Sequence, residues 1–218
     1  MKIPVEEALR YMRAAKADPE TRRLVEETAE MLEKRLRPRF LWRSFPIDRR
    51  GGEIRLEGSE IRLPGTLAGK MLAECDTAVL LVCTLGAEFD RMMQEWEKRD
   101  MARAAVMDVC GSAWTEAVCD EAEKEIRSRF PGRFLTDRFS PGYGDLPLEL
   151  QRGFLQALDG GRKLGITVND SFLLLPCKSV TAVIGLADRP QGAKIRGCGY
   201  CALREECAYR RDGKFCGD

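Results

Sequence analysis

Four cysteines close the chain, Cys198, Cys201, Cys207 and Cys216, in the pattern C-x2-C-x5-C-x8-C, and no histidine occurs among its 218 residues. A metal site built on this tail is therefore all-thiolate. Thiolates select soft or borderline ions, so the choice lies between tetrahedral zinc and an iron-sulfur cluster. Zinc ribbons more often show two tight C-x2-C knuckles, whereas only the first pair here is tight and the later spacings widen. A 4Fe–4S cluster tolerates that irregularity better, which predicts an iron-sulfur tail with structural zinc as the alternative. The other five cysteines (Cys75, Cys83, Cys110, Cys119, Cys177) fall among apolar residues and read as lone small hydrophobes. The opening MKIPVEEALRYMRAAK is charged from its second residue and has no apolar stretch of the export-signal kind. A reduced, cytoplasmic protein is the expectation, which argues against a disulfide-stapled tail. Lys194, Arg196, Arg204, Arg210, Arg211 and Lys214 accompany the tail cysteines; they either offset thiolate charge or form a solvated surface.

A chain of this length buries one substantial core, here with a small metal-held appendage over residues 188–218. With 44% hydrophobic and 33% charged residues and a formal net charge of +1, no global field points to nucleic acid or a membrane surface. The longest apolar runs, residues 77–85 and 172–176, are far too short to span a bilayer. Periodicity and punctuation predict helices over 5–15, 19–37, 64–75, 87–99, 101–130 and 147–157. Strands are predicted over 40–47, 54–56, 61–63, 77–83 and 133–139, with a final strand pair formed by 171–175 and 179–186. Helices interleaved with hairpin-like strands, rather than strict βαβ alternation, predict an α+β fold: a single domain with a twisted, largely antiparallel sheet and flanking helices. The helix face Val106, Val109, Cys110, Ala113 and Ala117 is lined with small and medium side chains. Such a face lets a backbone or ligand come close, although tight packing is the commoner reason for it.

Between the strand at Arg133 and the helix at Pro147, two glycines and two prolines fix an unusual backbone path through Asp137-Arg138-Phe139-Ser140-Pro141-Gly142-Tyr143-Gly144-Asp145. Arg138 can hold a carboxylate or phosphate through parallel hydrogen bonds, and Tyr143 can present a ring face to a cation. These groups suit an amino-acid sulfonium ligand. By composition alone, an Arg and a Tyr in a Gly/Pro loop are more often surface packing in a structural turn than a site.

The segment R-F-S-P-G-Y-G-D-L-P, preceded by a helix containing A-W-T-E-A-V and followed by N-D-S-F-L-L-L-P-C-K-S-V-T, resembles the C-terminal activation domain of cobalamin-dependent methionine synthase. That family shows R-x-A-P-G-Y before its helix and S-x-x-M-x-P-x-x-S-V later. The resemblance is specific over residues 112–187 and looser back to residue 38, where P-R-F-L-W-R-S-F-P-I looks like the opening of short free-standing relatives. It implies a domain over 38–187, preceded by N-terminal helices over 1–37. It also implies binding of S-adenosylmethionine and reductive methylation of a cobalamin carried by a partner, a corrinoid-binding methionine synthase or related methyltransferase, with a flavodoxin or ferredoxin as electron donor. Carried over by position, Arg138 takes the ligand carboxylate, Glu116 meets its ammonium, and Ser140, Gly142 and Tyr143 supply the backbone and ring contacts. No catalytic side chain is singled out. After its Gly-Tyr the family usually continues Pro-Ala-Cys-Pro, whereas this chain reads Gly144-Asp145-Leu146-Pro147, and residues 179–186 lack the family's aromatic residues. The cysteine tail lies outside the resemblance and is read as an electron relay. Alternatives are a corrinoid-protein reductase that uses no S-adenosylmethionine, a non-catalytic zinc-stabilised subunit, or the same fold with another ligand.

Overall fold

The structure, a computed structural model, describes residues 1–12, 17–192, 194–195, 205 and 208–211. Two helices, α1 (Val5–Tyr11) and α2 (Pro19–Arg35), lead into β1 (Arg39–Asp48), β2 (Ile54–Leu56), β3 (Arg62–Leu63) and α3 (Gly65–Leu72). The chain continues through β4 (Thr77–Thr84), α4 (Ala87–Arg99), α5 (Met101–Arg129) and β5 (Phe134–Leu135). It then forms α6 (Leu150–Leu158), α7 (Gly160–Leu164), β6 (Thr167–Val168), β7 (Leu174–Leu175) and β8 (Ser179–Ala187). Local chemistry fixes several starts. The Asp18 carboxylate accepts the backbone N–H groups of Glu20 and Thr21 at 3.0 and 2.9 Å ahead of Pro19, and Asp100 accepts that of Arg103 at 3.1 Å.

The main sheet runs β3-β2-β1-β4-β8-β5 with every pairing antiparallel, so the fold is α+β as the sequence predicts. Antiparallel sheets often leave one face wet, but this one is covered on both. Alternation along β4 sends Val79, Leu81 and Cys83 into a core shared with α5, and Ala78, Leu80 and Val82 into a second core shared with α3 and α6. That double burial is why β4 is an unbroken apolar run. Leu9, Val25 and Leu32 of the N-terminal helices lie in the same cluster as Cys110, Trp114 and Val118 of α5, so α1 and α2 complete the sheet's own core.

Two expectations are corrected. Residues 171–175 do not pair with 179–186; β7 pairs with β6 in a separate two-stranded ladder. The turn chemistry of Asn169 decides this, because its side-chain oxygen accepts the N–H groups of Ser171 and Leu173 at 3.0 and 2.9 Å and folds the chain back early. The strand expected over 133–139 is laddered only at Phe134–Leu135. Thr136 still bonds the Gly185 carbonyl, and the chain rejoins β8 at an isolated bridge, Phe139 with Val183. Three steps on one side oppose two on the other, so the segment holding Asp137 and Arg138 carries one extra residue, a bulge. Among the described residues no helix is long and apolar enough to cross a membrane.

Candidate functional site

Glu116, Asp120 and Glu123 recur at i, i+4 and i+7 on α5 and therefore share one face. The bulge aims Arg138 at that face, while Phe139 enters the opposite core. One Arg138 terminal nitrogen bonds Asp120 at 2.6 Å and also Glu123, and the other bonds Glu116. The Arg138 side chain is 7% exposed and that of Glu123 17%, whereas Glu116 and Asp120 are 47% and 56% exposed. Burial opposes the charge on Arg138, but Cys119, Glu116, Glu123 and Asp120 outweigh it and push its pKa up. One buried cation thus faces three carboxylates, two of them open to solvent.

Glu116 also lines a groove of 340 Å³ between α1, α5 and the start of β8, together with Tyr11, Thr115, Lys178 and Ser179. At its rim the Lys178 ammonium bonds Asp108 and the Ser112 hydroxyl, each at 2.8 Å. Burial, then Glu7 and Glu116, push the Tyr11 phenol up, keeping it protonated as a donor. Cys177 donates its N–H and thiol to Asp90, and burial followed by that contact moves its pKa up to about 12. A larger recess of 500 Å³ lies elsewhere, between Phe45 of β1, Ile61 and Leu150 of α6, and holds none of the residues singled out above.

Of the sequence-predicted residues, Glu116 and Arg138 meet directly. Ser140, Gly142 and Tyr143 do not join them: their hydrogen bonds close the loop on itself, from Gly142 N–H to the Leu146 carbonyl and from Tyr143 N–H to the Ser140 carbonyl. Gly142 sits at φ +87° against Leu148, a conformation and a closeness that require glycine. The Tyr143 ring stands 48% exposed. Asp145 clamps the loop to α3, accepting from the backbone of Thr66 and Leu67 and from the Thr66 hydroxyl, contacts that lower its pKa to about 2. Cys198, Cys201, Cys207 and Cys216 lie outside the described residues. Among the described residues no group of three or more Cys, Asp or Glu side chains is arranged to hold a metal ion. Asp120, Glu123, Lys178 and Tyr11 were missed from sequence; the i, i+4, i+7 spacing after Glu116 was the one available signal.

Comparison with known structures finds a similar fold in a solved protein. The chain is similar in fold to a structure described as the crystal structure of the MetH reactivation domain bound to AdoHcy, with a TM-score of 0.57 at 20% identity over 94% of this chain and 77% of that one. No protein-family model matches the sequence, and no curated protein does.

Proposed function

We propose that the protein binds S-adenosylmethionine at the Glu116–Arg138 face and serves, as a free-standing activator, in the reductive methylation of a cobalamin held by a partner methionine synthase or related methyltransferase. The observation that carries the reading is the charge imbalance: three carboxylates around one guanidinium, with Glu116 opening into a groove. S-Adenosylmethionine brings a sulfonium and an ammonium against a single carboxylate, so the net charges are complementary. Glu116 would receive the ammonium. Arg138 would turn part of its guanidinium to the ligand carboxylate in exchange for Glu116 or Asp120. The likeness to an AdoHcy-bound reactivation domain supports the same ligand class.

The tail supplies the electron in this proposal. Ile195 donates its N–H to Asp137 at 3.0 Å, so the tail is rooted one residue from Arg138. Only two residues of chain lie between Ile195 and Cys198, a reach of three steps and at most about 11 Å. A 4Fe–4S cluster on Cys198, Cys201, Cys207 and Cys216 would therefore start close to the ligand face, reduced by a flavodoxin or ferredoxin. One electron and the sulfonium methyl then convert cob(II)alamin to methylcobalamin and release S-adenosylhomocysteine.

Titration calorimetry tests the ligand. S-Adenosylmethionine should bind more tightly than S-adenosylhomocysteine, which lacks the sulfonium charge, and the gap should narrow as salt rises. Glu116→Gln, at a half-exposed position that tolerates change, should weaken binding by more than tenfold, at least about 1.4 kcal/mol. Absence of heat with both ligands, or an unchanged affinity in the variant, refutes the assignment.

A further inference from the structure

The contact between β4 and α5 contains a pair of thiols that ligand binding leaves unused. Cys83 and Cys119 are both fully buried, and their Sγ atoms lie 3.1 Å apart. Among the described residues, the other buried cysteines meet carbonyls rather than sulfur: Cys75 approaches that of Met71 and Cys110 that of Val25. A disulfide bond is about 2.05 Å long, so closing the Cys83–Cys119 gap needs a movement of only about 1 Å. Cys119 lies less than one turn beyond Glu116 and adjoins Asp120 in sequence.

We propose that Cys83 and Cys119 form a redox modification site, in which a small neutral peroxide oxidises the pair to a disulfide that ties α5 to β4 beneath the Glu116–Arg138 cluster. One thiolate attacks the peroxide oxygen, giving a sulfenic acid as the O–O bond breaks and water leaves. The second sulfur displaces the sulfenic oxygen as a further water. Two thiols thereby lose two protons and two electrons, and one hydrogen peroxide becomes two waters. The contact with Cys119, and then burial, hold the Cys83 pKa well up, so the reaction waits on local opening and quickens as pH rises. Because the bond tightens the helix one turn from Glu116, it acts directly on the candidate ligand face.

The test is to treat the anaerobically purified full chain with hydrogen peroxide, alkylate under denaturing conditions and map peptides by mass spectrometry. The expected result is a Cys83–Cys119 linked peptide lighter by two hydrogens and split by dithiothreitol, while Cys75 and Cys110 are recovered alkylated. In Cys119→Ser the linked peptide disappears and Cys83 is recovered alkylated. Recovery of Cys83 and Cys119 as thiols to the same extent as Cys75 and Cys110, or as separate sulfinic acids, overturns the proposal. No ligand enters this readout, so its failure is distinct from failure of the S-adenosylmethionine reading.

Discussion

Replacing Arg138 with methionine removes one charge, keeps most of the side-chain volume, and leaves three carboxylates facing one another. Removing one partner of a fully buried ion pair costs about 3–5 kcal/mol, because the remaining charge is stranded. Here the stranding is partial. Glu116 and Asp120 are half exposed and their charges return to water, where such pairs are worth about 0–1 kcal/mol. Glu123, at 17% exposure, stays largely shielded from water. The loss in Arg138→Met should therefore be about 2–3 kcal/mol, below the buried limit and above the surface one. In a chain of this size that lowers Tm by roughly 5–10 °C. Urea unfolding followed by circular dichroism reads it directly, provided the slope against denaturant is unchanged. A second variant separates stranded charge from lost packing: adding Glu123→Gln to Arg138→Met should restore about 1 kcal/mol, since it removes the least solvated charge. A loss below about 0.5 kcal/mol, the range of ordinary surface changes, refutes the argument. So does a double variant no more stable than the single one.

Asp145→Ala tests the clamp between the site loop and α3. The Asp145 carboxyl is lowered to about 2 in the folded chain, against about 3.9 when unfolded, so its stabilisation is complete above the unfolded value and disappears as pH falls through about 2. The variant should melt below wild type at pH 7, with the gap closing between about pH 4 and pH 2; a gap that persists at pH 2 contradicts the carboxylate role. A glycine pair gives opposite signs. A Cβ at Gly185 would lie 2.5 Å from the Cys75 sulfur and 2.7 Å from Leu72, so Gly185→Ala should destabilise by about 1–3 kcal/mol. Gly69 in α3 has nothing within 4 Å, so Gly69→Ala should stabilise by about 0.5–1 kcal/mol, and equal effects in urea titrations would refute the packing account.

The elements legible in the sequence are those fixed by periodicity over many residues. The α4 bounds of 87–99 coincide with the apolar spacing, and β4 extends its predicted run by one residue, because burial on both faces leaves no polar position to blur it. The elements that were not legible depend on single residues. Asn169 turns the β6–β7 hairpin through its side-chain oxygen, and α7 begins where Asp159, ahead of Gly160 and Gly161, adopts φ +56°. The site divides in the same way. Resemblance to a family brings Glu116 and Arg138 forward, whereas it does not single out Asp120 and Glu123, four and seven residues on along the same helix face. What no local pattern carried is that Arg138 points at that face, since its direction comes from a register mismatch against β8, a strand some forty residues later in the chain.

That direction determines what the surface can attract. Glu116, Asp120 and Glu123, with Asp108 and Asp90 at the rim of the groove, set five carboxylates against Arg138 and Lys178. The whole chain is close to neutral, at a formal +1, so this negative excess is local and balanced elsewhere. A phosphate-rich ligand approaching the face would meet repulsion at the groove and find its two cations already engaged. A ligand with two positive groups close together and one carboxylate would find partners for all three. On the proposed reading, loss of the sulfonium methyl would remove one positive charge from the ligand beside this group of carboxylates. Methyl transfer would then weaken the product's hold, and S-adenosylhomocysteine would leave the face faster than S-adenosylmethionine does.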